Sequence, residues 1–145
     1  DLGDIFPERH NKPSDELVLE VKNLNRKGVL SDINFNLRRG EILGFAGLMG
    51  AGRTEVARAL FGADPIDSGE ITLFGKRADI KNVHSAIDLG IGYLTEDRKK
   101  EGLALGLSVN VNTMLSSYKE YSNTLSVIDE GSKSSLLNLS RSTLK

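Results

Sequence analysis

Cysteine and tryptophan are absent from the 145-residue chain. Without cysteine there is no disulfide framework, no thiolate nucleophile and no cysteine-ligated metal. That usage suits a reducing compartment. Neither sign of charge dominates: 19 Lys and Arg face 20 Asp and Glu, for a formal net charge of -1. A balanced surface of this kind argues against bulk binding of nucleic acid. Long apolar runs are missing too, and nothing approaches the ~20 residues of a membrane-spanning helix. The first residues, Asp1-Leu2-Gly3-Asp4, have neither the basic nor the apolar region of a secretion signal. They also lack an initial Met, so the expectation is an excised piece or a processed product. Composition thus predicts a soluble, intracellular, globular chain and names no function. Roughly 70% of the unfolded surface is buried by a domain of such length, enough for a core without staples.

What is present is an alternation of short apolar segments with glycine-rich punctuation. Residues 1–16 are polar, carry Pro7 and Pro13, and read as a linker or docking arm. Leu17 to Val21 reads as a first strand. Ile33, Phe35 and Leu37 alternate with Asn34, Asn36 and Arg38, the period-two pattern of a strand with one buried face. Arg39-Gly40-Glu41 is a turn. The apolar run from Ile42 to Ala46 predicts a strand buried on both faces. A helix is expected over about Arg53 to Phe61, with Gly62 as its C-terminal cap. Ile71 to Phe74 reads as a strand, Val83 to Leu89 as a short helix ended by Gly90, and Ile91 to Leu94 as another strand. A charged loop follows from Thr95 to Gly106, and Ser108 is placed to cap a helix reaching about Tyr118. Beyond Glu120, Ser and Asn are dense, which fits weak helix or disorder. The order predicts an α/β class with an antiparallel β addition at the N-terminal side.

One segment carries chemistry. Gly47-Leu48-Met49-Gly50-Ala51-Gly52-Arg53-Thr54 has the spacing of the phosphate-binding P-loop, G-x-x-x-x-G-K-[ST], with Arg53 at the lysine position. Glycines let successive backbone N–H groups turn inward, forming a nest for phosphate oxygens. The helix that follows adds partial positive charge at its start. Arg53 retains the cation, although its planar fork is bulkier than an ammonium. Thr54 is placed to ligate magnesium, and Glu55 follows in the first turn. The rival reading is a glycine-rich strand-to-helix turn without a ligand.

The stretch from Gly40 to about Asn112 resembles an ATP-binding cassette of the ABC transporter superfamily. More narrowly, it resembles the second cassette of the two-cassette ATPase subunits of bacterial monosaccharide importers of the ribose, galactose and xylose type. Two peculiarities carry this: the sequence GAGRTE from Gly50 to Glu55, and E-D-R-K from Glu96 to Lys99 where other cassettes have their Q-loop. Asp4-Ile5-Phe6-Pro7-Glu8-Arg9 resembles the connection between the two cassettes. The resemblance implies a partial P-loop NTPase core over residues 17–118, with an N-terminal antiparallel β subdomain and the start of a helical subdomain. Residues 1–16 become the interdomain linker, and 119–145 a truncated helical subdomain or flexible tail. It implies that Gly47 to Glu55 bind the phosphates of ATP, and that Thr54 and Glu96 ligate Mg2+. The implied partners are a first cassette of the same subunit or a second ATPase subunit, a transmembrane sugar permease, and indirectly a periplasmic sugar-binding protein. The implied location is cytoplasmic, on the inner face of the cell membrane.

Departures from the family's pattern set further expectations. The signature sequence and the switch His do not follow Asn112, Leu139-Ser140 does not continue into Gly-Gly, and no Walker B pair is assigned. His10 and His84 are misplaced for the switch and read as surface or packing residues. No catalytic residue is therefore assigned, and the chain alone is expected to be inactive as an ATPase. Asn25 to Leu30, where the family carries an adenine-stacking aromatic, has none, so weak nucleotide affinity is expected. A degenerate regulatory cassette that binds nucleotide without hydrolysis is the alternative. Arg98-Lys99-Lys100 reads as a solvated loop. An open sheet edge would favour self-association.

Overall fold

The computed structural model describes residues 12–115. The described residues fall into two compact units, 12–93 and 94–115. In the first, the elements are β1 (Leu17–Arg26), β2 (Leu30–Arg38), α1 (Arg53–Leu60), β3 (Ser68–Leu73), β4 (Lys76–Arg77) and α2 (Val83–Asp88). The strands make one sheet in the order β2-β1-β3-β4, with each neighbouring pair antiparallel.

The predicted alternation holds in β2: Ile33, Phe35 and Leu37 are half-buried while Asn34, Asn36 and Arg38 are exposed. Val21 of β1 pairs with Phe35 and with Ile71 of β3, so one apolar row crosses three strands. Val21, Leu24, Leu30 and Ile71 join Val56 and Ala59 of α1 in a single buried cluster. The spacing of Val56, Ala59 and Leu60 puts them on one helical face. Burying that face on the sheet anchors α1, and with it the loop at its start.

β1 runs past the predicted end at Val21 to Arg26 by way of a bulge between Val21 and Leu24. Asn23 there is left-handed at φ 48°, as is Asp32 opposite at φ 51°. Asn and Asp tolerate that region better than other side-chain-bearing residues. A polar lattice fixes both: the Asn23 N–H donates to Asn34 Oδ1 at 2.8 Å, and Asn23 Nδ2 donates to Asp32 Oδ1 at 2.7 Å. The bonds from Asn34, then Asn23, hold the Asp32 carboxyl below its ordinary pKa.

Two predicted strands are not formed. Ile42 to Ala46 has no strand partner, and Ile42 is 79% exposed. A strand buried on both faces needs flanking strands, and among the described residues the sheet consists of β2, β1, β3 and β4 alone. Phe45 instead sets its ring edge-on to Phe35, centroids 5.1 Å apart. Ile91 to Leu94 is likewise irregular, and Tyr93 packs on Phe61 with centroids 5.5 Å apart. The predicted helix of residues 53–61 and its left-handed Gly62 cap (φ 69°) are found, as is α2. Of the predicted linker, residues 1–11 lie outside the described part. Ser14 and Glu16 are tied to the end of β2, where the Ser14 N–H donates to the Arg39 carbonyl and Arg39 N–H to the Glu16 carbonyl.

Asp64, in the loop after α1, ties β1 to α1. Its carboxylate accepts from Arg26 of β1 at 2.7 Å and from two nitrogens of Arg58 on α1 at 3.0 Å. The hydrogen bonds from Arg58 above all, and then those from Arg26, hold its pKa below the ordinary 3.8. A depressed carboxyl contributes stability that is present above its unfolded value and lost as pH falls through the folded one. Asp64→Asn is therefore expected to cost about 1–2 kcal/mol at neutral pH and to lose less stability than wild type below about pH 4. Urea melts across that range check both; parallel pH curves for the two proteins would assign the acid sensitivity elsewhere.

In the second unit, a π-turn spans Arg98–Gly102 and α3 spans Val109–Met114. The Asp97 carboxylate accepts from the N–H groups of Lys99 and Lys100, both at 3.2 Å. Ser108 caps α3 as predicted, accepting from the Val111 N–H. The Asn112 side chain closes this loop, accepting from the Ala104 N–H at 2.8 Å and donating to its carbonyl at 3.1 Å. The predicted end of this helix near Tyr118 and the predicted tail of 119–145 lie outside the described residues.

Candidate nucleotide-binding loop

Gly47 to Gly52 connects the irregular apolar run to α1. The loop closes on itself through a tight turn, in which the Ala51 N–H donates to the Leu48 carbonyl at 3.0 Å. Gly50 and Gly52 are left-handed, at φ 82° and 86°, which side-chain-bearing residues rarely adopt. At Gly47 the need is for space: a Cβ there would stand 2.9 Å from Ala51 Cβ. The same point lies 3.7 Å from Arg53 Cδ, so the stem of Arg53 lies back along the loop rather than away from it.

Gly52 is the residue before α1 and offers no side chain to cap it. The first-turn N–H groups of Arg53, Thr54 and Glu55 therefore depend on water or a ligand. The Val56 N–H returns to the Gly52 carbonyl at 2.9 Å, which fixes the helix start. Thr54 and Glu55 are half-buried and Arg53 is exposed. Left-handed glycines, an uncapped helix start, a guanidinium and a hydroxyl together fit an oligophosphate anion. Leu48 and Met49 form the outer tip, 87% and 98% exposed.

The β1–β2 turn adjoins this loop, a proximity that sequence reasoning missed. A Cβ on Gly52 would lie 3.4 Å from Leu30 Cδ2 and 3.7 Å from the Val29 carbonyl. The stretch noted for its lack of an aromatic thus borders the loop, and it presents the aliphatic Val29, 44% exposed.

Gly47 through Glu55 form one continuous loop and first helical turn. Glu96 belongs to the second unit, where it is exposed beside the Asp97-capped turn. The Thr54 hydroxyl and the Glu96 carboxylate are hard oxygen donors of the kind magnesium takes. Among the described residues, no cluster of three or more His, Asp or Glu suited to hold a metal occurs. His84 is exposed on α2, as expected of a surface residue, and His10 lies outside the described residues. No described helix is long and apolar enough to cross a membrane.

A glycine-rich loop running into a packed helix, beside an antiparallel sheet, has the form of the P-loop of a P-loop NTPase. Residues 30–142 match the family model described as ABC transporter, and the chain belongs to that family. A ribose/galactose/methyl galactoside import ATP-binding protein of Agrobacterium fabrum is 56% identical over 128 residues, covering 88% of this chain and 25% of that protein. A protein of the same description from Burkholderia cenocepacia is 54% identical over 118 residues, covering 81% of this chain and 23% of that protein. One from Albidiferax ferrireducens is 58% identical over 108 residues, covering 74% and 21%. The chain thus spans about a quarter of the length of these relatives.

Proposed function

We propose that this chain is the phosphate-binding part of the second cassette of an ATPase subunit that powers monosaccharide import. The observation that carries the reading is the Gly47–Thr54 loop, with its left-handed Gly50 and Gly52 and the uncapped start of α1. The amides of the loop and first turn bind the β- and γ-phosphate oxygens of ATP, and Arg53 neutralises their charge. Magnesium, when bound with the nucleotide, offsets phosphate charge, and Thr54 is the residue beside the loop that would hold it. In the intact subunit, binding positions the γ-phosphate for in-line attack by water, an event that depends chiefly on charge stabilisation and placement. ATP-driven closure then biases a two-state membrane partner.

The partners on this reading are a first cassette of the same subunit or a second ATPase subunit, a membrane-embedded sugar permease and, through it, a periplasmic sugar-binding protein. The location is the cytoplasmic face of the cell membrane. The isolated chain has a further route to self-association through the exposed 42–46 run. The relatives' description as import ATP-binding proteins favours a working cassette over a degenerate regulatory one.

The chain carries no LSGGQ-like signature sequence, so binding without turnover is the expectation for these 145 residues. Phosphate release by the purified chain is expected at background. Sustained release that Thr54→Ala abolishes would overturn the assignment of catalysis to residues outside it.

A further inference from the structure

The β1–β2 turn closes against the end of the phosphate loop, so a nucleoside carried by phosphates on that loop has this turn beside it. A Cβ on Gly52 would lie 3.4 Å from Leu30 Cδ2 and 3.7 Å from the Val29 carbonyl oxygen. Polar groups of the turn are already engaged within the fold. The Val29 N–H donates to the Arg26 carbonyl at 2.9 Å, and the Lys27 N–H donates to Asp67 Oδ2. The Arg26 guanidinium is held by Asp64 at 2.7 Å. Lys27 is exposed, and its ammonium is a hydrated point charge on a flexible stem, with no fixed geometry for a base edge. What the turn presents is the aliphatic side chain of Val29, 44% exposed. The tip of the loop is apolar as well, at Leu48 and Met49.

We propose that the site selects an oligophosphate and does not discriminate among the purines attached to it, so that ATP and GTP bind alike. This rests on the reading that the loop binds phosphates. Adenine presents an amino donor where guanine presents a carbonyl acceptor. Telling them apart takes a polar group fixed to meet one of the two. Such a site rejects the wrong partner strongly, because its own polar group is then left unpaired. An aliphatic contact carries no such penalty: the methyl groups of Val29 meet the face of either purine equally. Affinity then resides in the phosphate chain and its neutralisation by Arg53, which every nucleoside triphosphate shares.

The test is calorimetric titration of the full chain, with magnesium present, against ATP, GTP and inorganic tripolyphosphate. ATP and GTP are expected within about threefold of each other, and tripolyphosphate within about tenfold of ATP. Arg53→Glu should weaken all three by the same factor. Val29→Tyr, on an exposed turn, gives either base a ring to stack on. It should raise ATP and GTP affinity together by about fivefold or more and leave tripolyphosphate unchanged. A preference of about tenfold or more for either purine would overturn the proposal and leave the phosphate loop standing. Tripolyphosphate binding weaker than ATP by about a hundredfold would also overturn it, because the nucleoside would then carry the affinity. ATP and GTP affinities unchanged in Val29→Tyr would overturn the placement of the nucleoside beside the turn, on which the proposal stands. Failure of all three ligands to bind at millimolar concentration would instead remove the phosphate-loop reading, and the proposal with it.

Discussion

Replacing Gly69 with alanine is expected to lower the melting temperature by about 15 °C or more. Gly69 sits at φ 120°, and a Cβ there would lie 2.6 Å from Leu24 Cα, 2.7 Å from the Asn23 carbonyl oxygen and 2.9 Å from the Leu24 nitrogen. All three are backbone atoms, so no side chain can swing aside. Leu24 itself is 0% exposed at the centre of the core. The crowding occurs where the β1–β3 register shifts between Lys22 and Asn25, the same place where Asn23 bulges. Alanine must therefore push β3 off β1 or force the bulge out of its polar lattice. Backbone strain of this type costs about 1–3 kcal/mol, and the displaced core adds to it. A domain held by about 5–15 kcal/mol has little margin for such a loss. Gly28 provides the contrast: it is also left-handed, but a Cβ there meets nothing within 4 Å, so alanine should cost only about 1 kcal/mol. Thermal unfolding followed by circular dichroism separates the two. A drop of only a few degrees for Gly69→Ala would mean that β1 and β3 do not approach as described.

The second large effect concerns binding. Arg53→Glu is expected to reduce ATP affinity by at least ~100-fold, about 2.7 kcal/mol. Arg53 opens α1, and its stem lies against the loop, with Cδ 3.7 Å from the point where Gly47 would carry a Cβ. Its charge therefore belongs to the cradle. Glutamate removes the attraction to phosphate and places a like charge in the same position. The fold should tolerate the change, because Arg53 is exposed and an acidic residue suits the first turn of a helix. Calorimetric titration of both proteins measures the ratio, and their unchanged melting temperatures identify it as a binding effect. Equal affinities would place the phosphates elsewhere.

Local features were legible in the sequence, and features that depend on distant partners were not. The alternation of Ile33, Phe35 and Leu37 marked β2 because one face meets the core and the other meets water. The apolar spacing of α1, the Gly62 stop and the Ser108 cap are each written within a few residues. So is the glycine nest, whose φ values follow from residue type. The end of β1 was misplaced because Lys22 and Asn23 break the apolar pattern, yet Asn34 from the facing strand holds the bulge that carries β1 onward. The two-residue β4 exists only by pairing with Thr72 and Leu73. Ile42 to Ala46 is apolar enough for a strand but has no strand beside it among the described residues. The approach of the Val29 turn to Gly52 and the binding of Asp64 by Arg26 and Arg58 come from tertiary packing, which residue spacing does not encode.

The most direct measurement is amide-resolved NMR of the isotopically labelled chain titrated with ATP and magnesium. The largest shifts are expected at Gly50, Gly52, Arg53 and Thr54, whose N–H groups form the proposed cradle, and they should disappear in Arg53→Glu. Amides that do not respond at millimolar ATP, or that respond at another surface of the chain, would contradict the assignment of this loop as the phosphate-binding site.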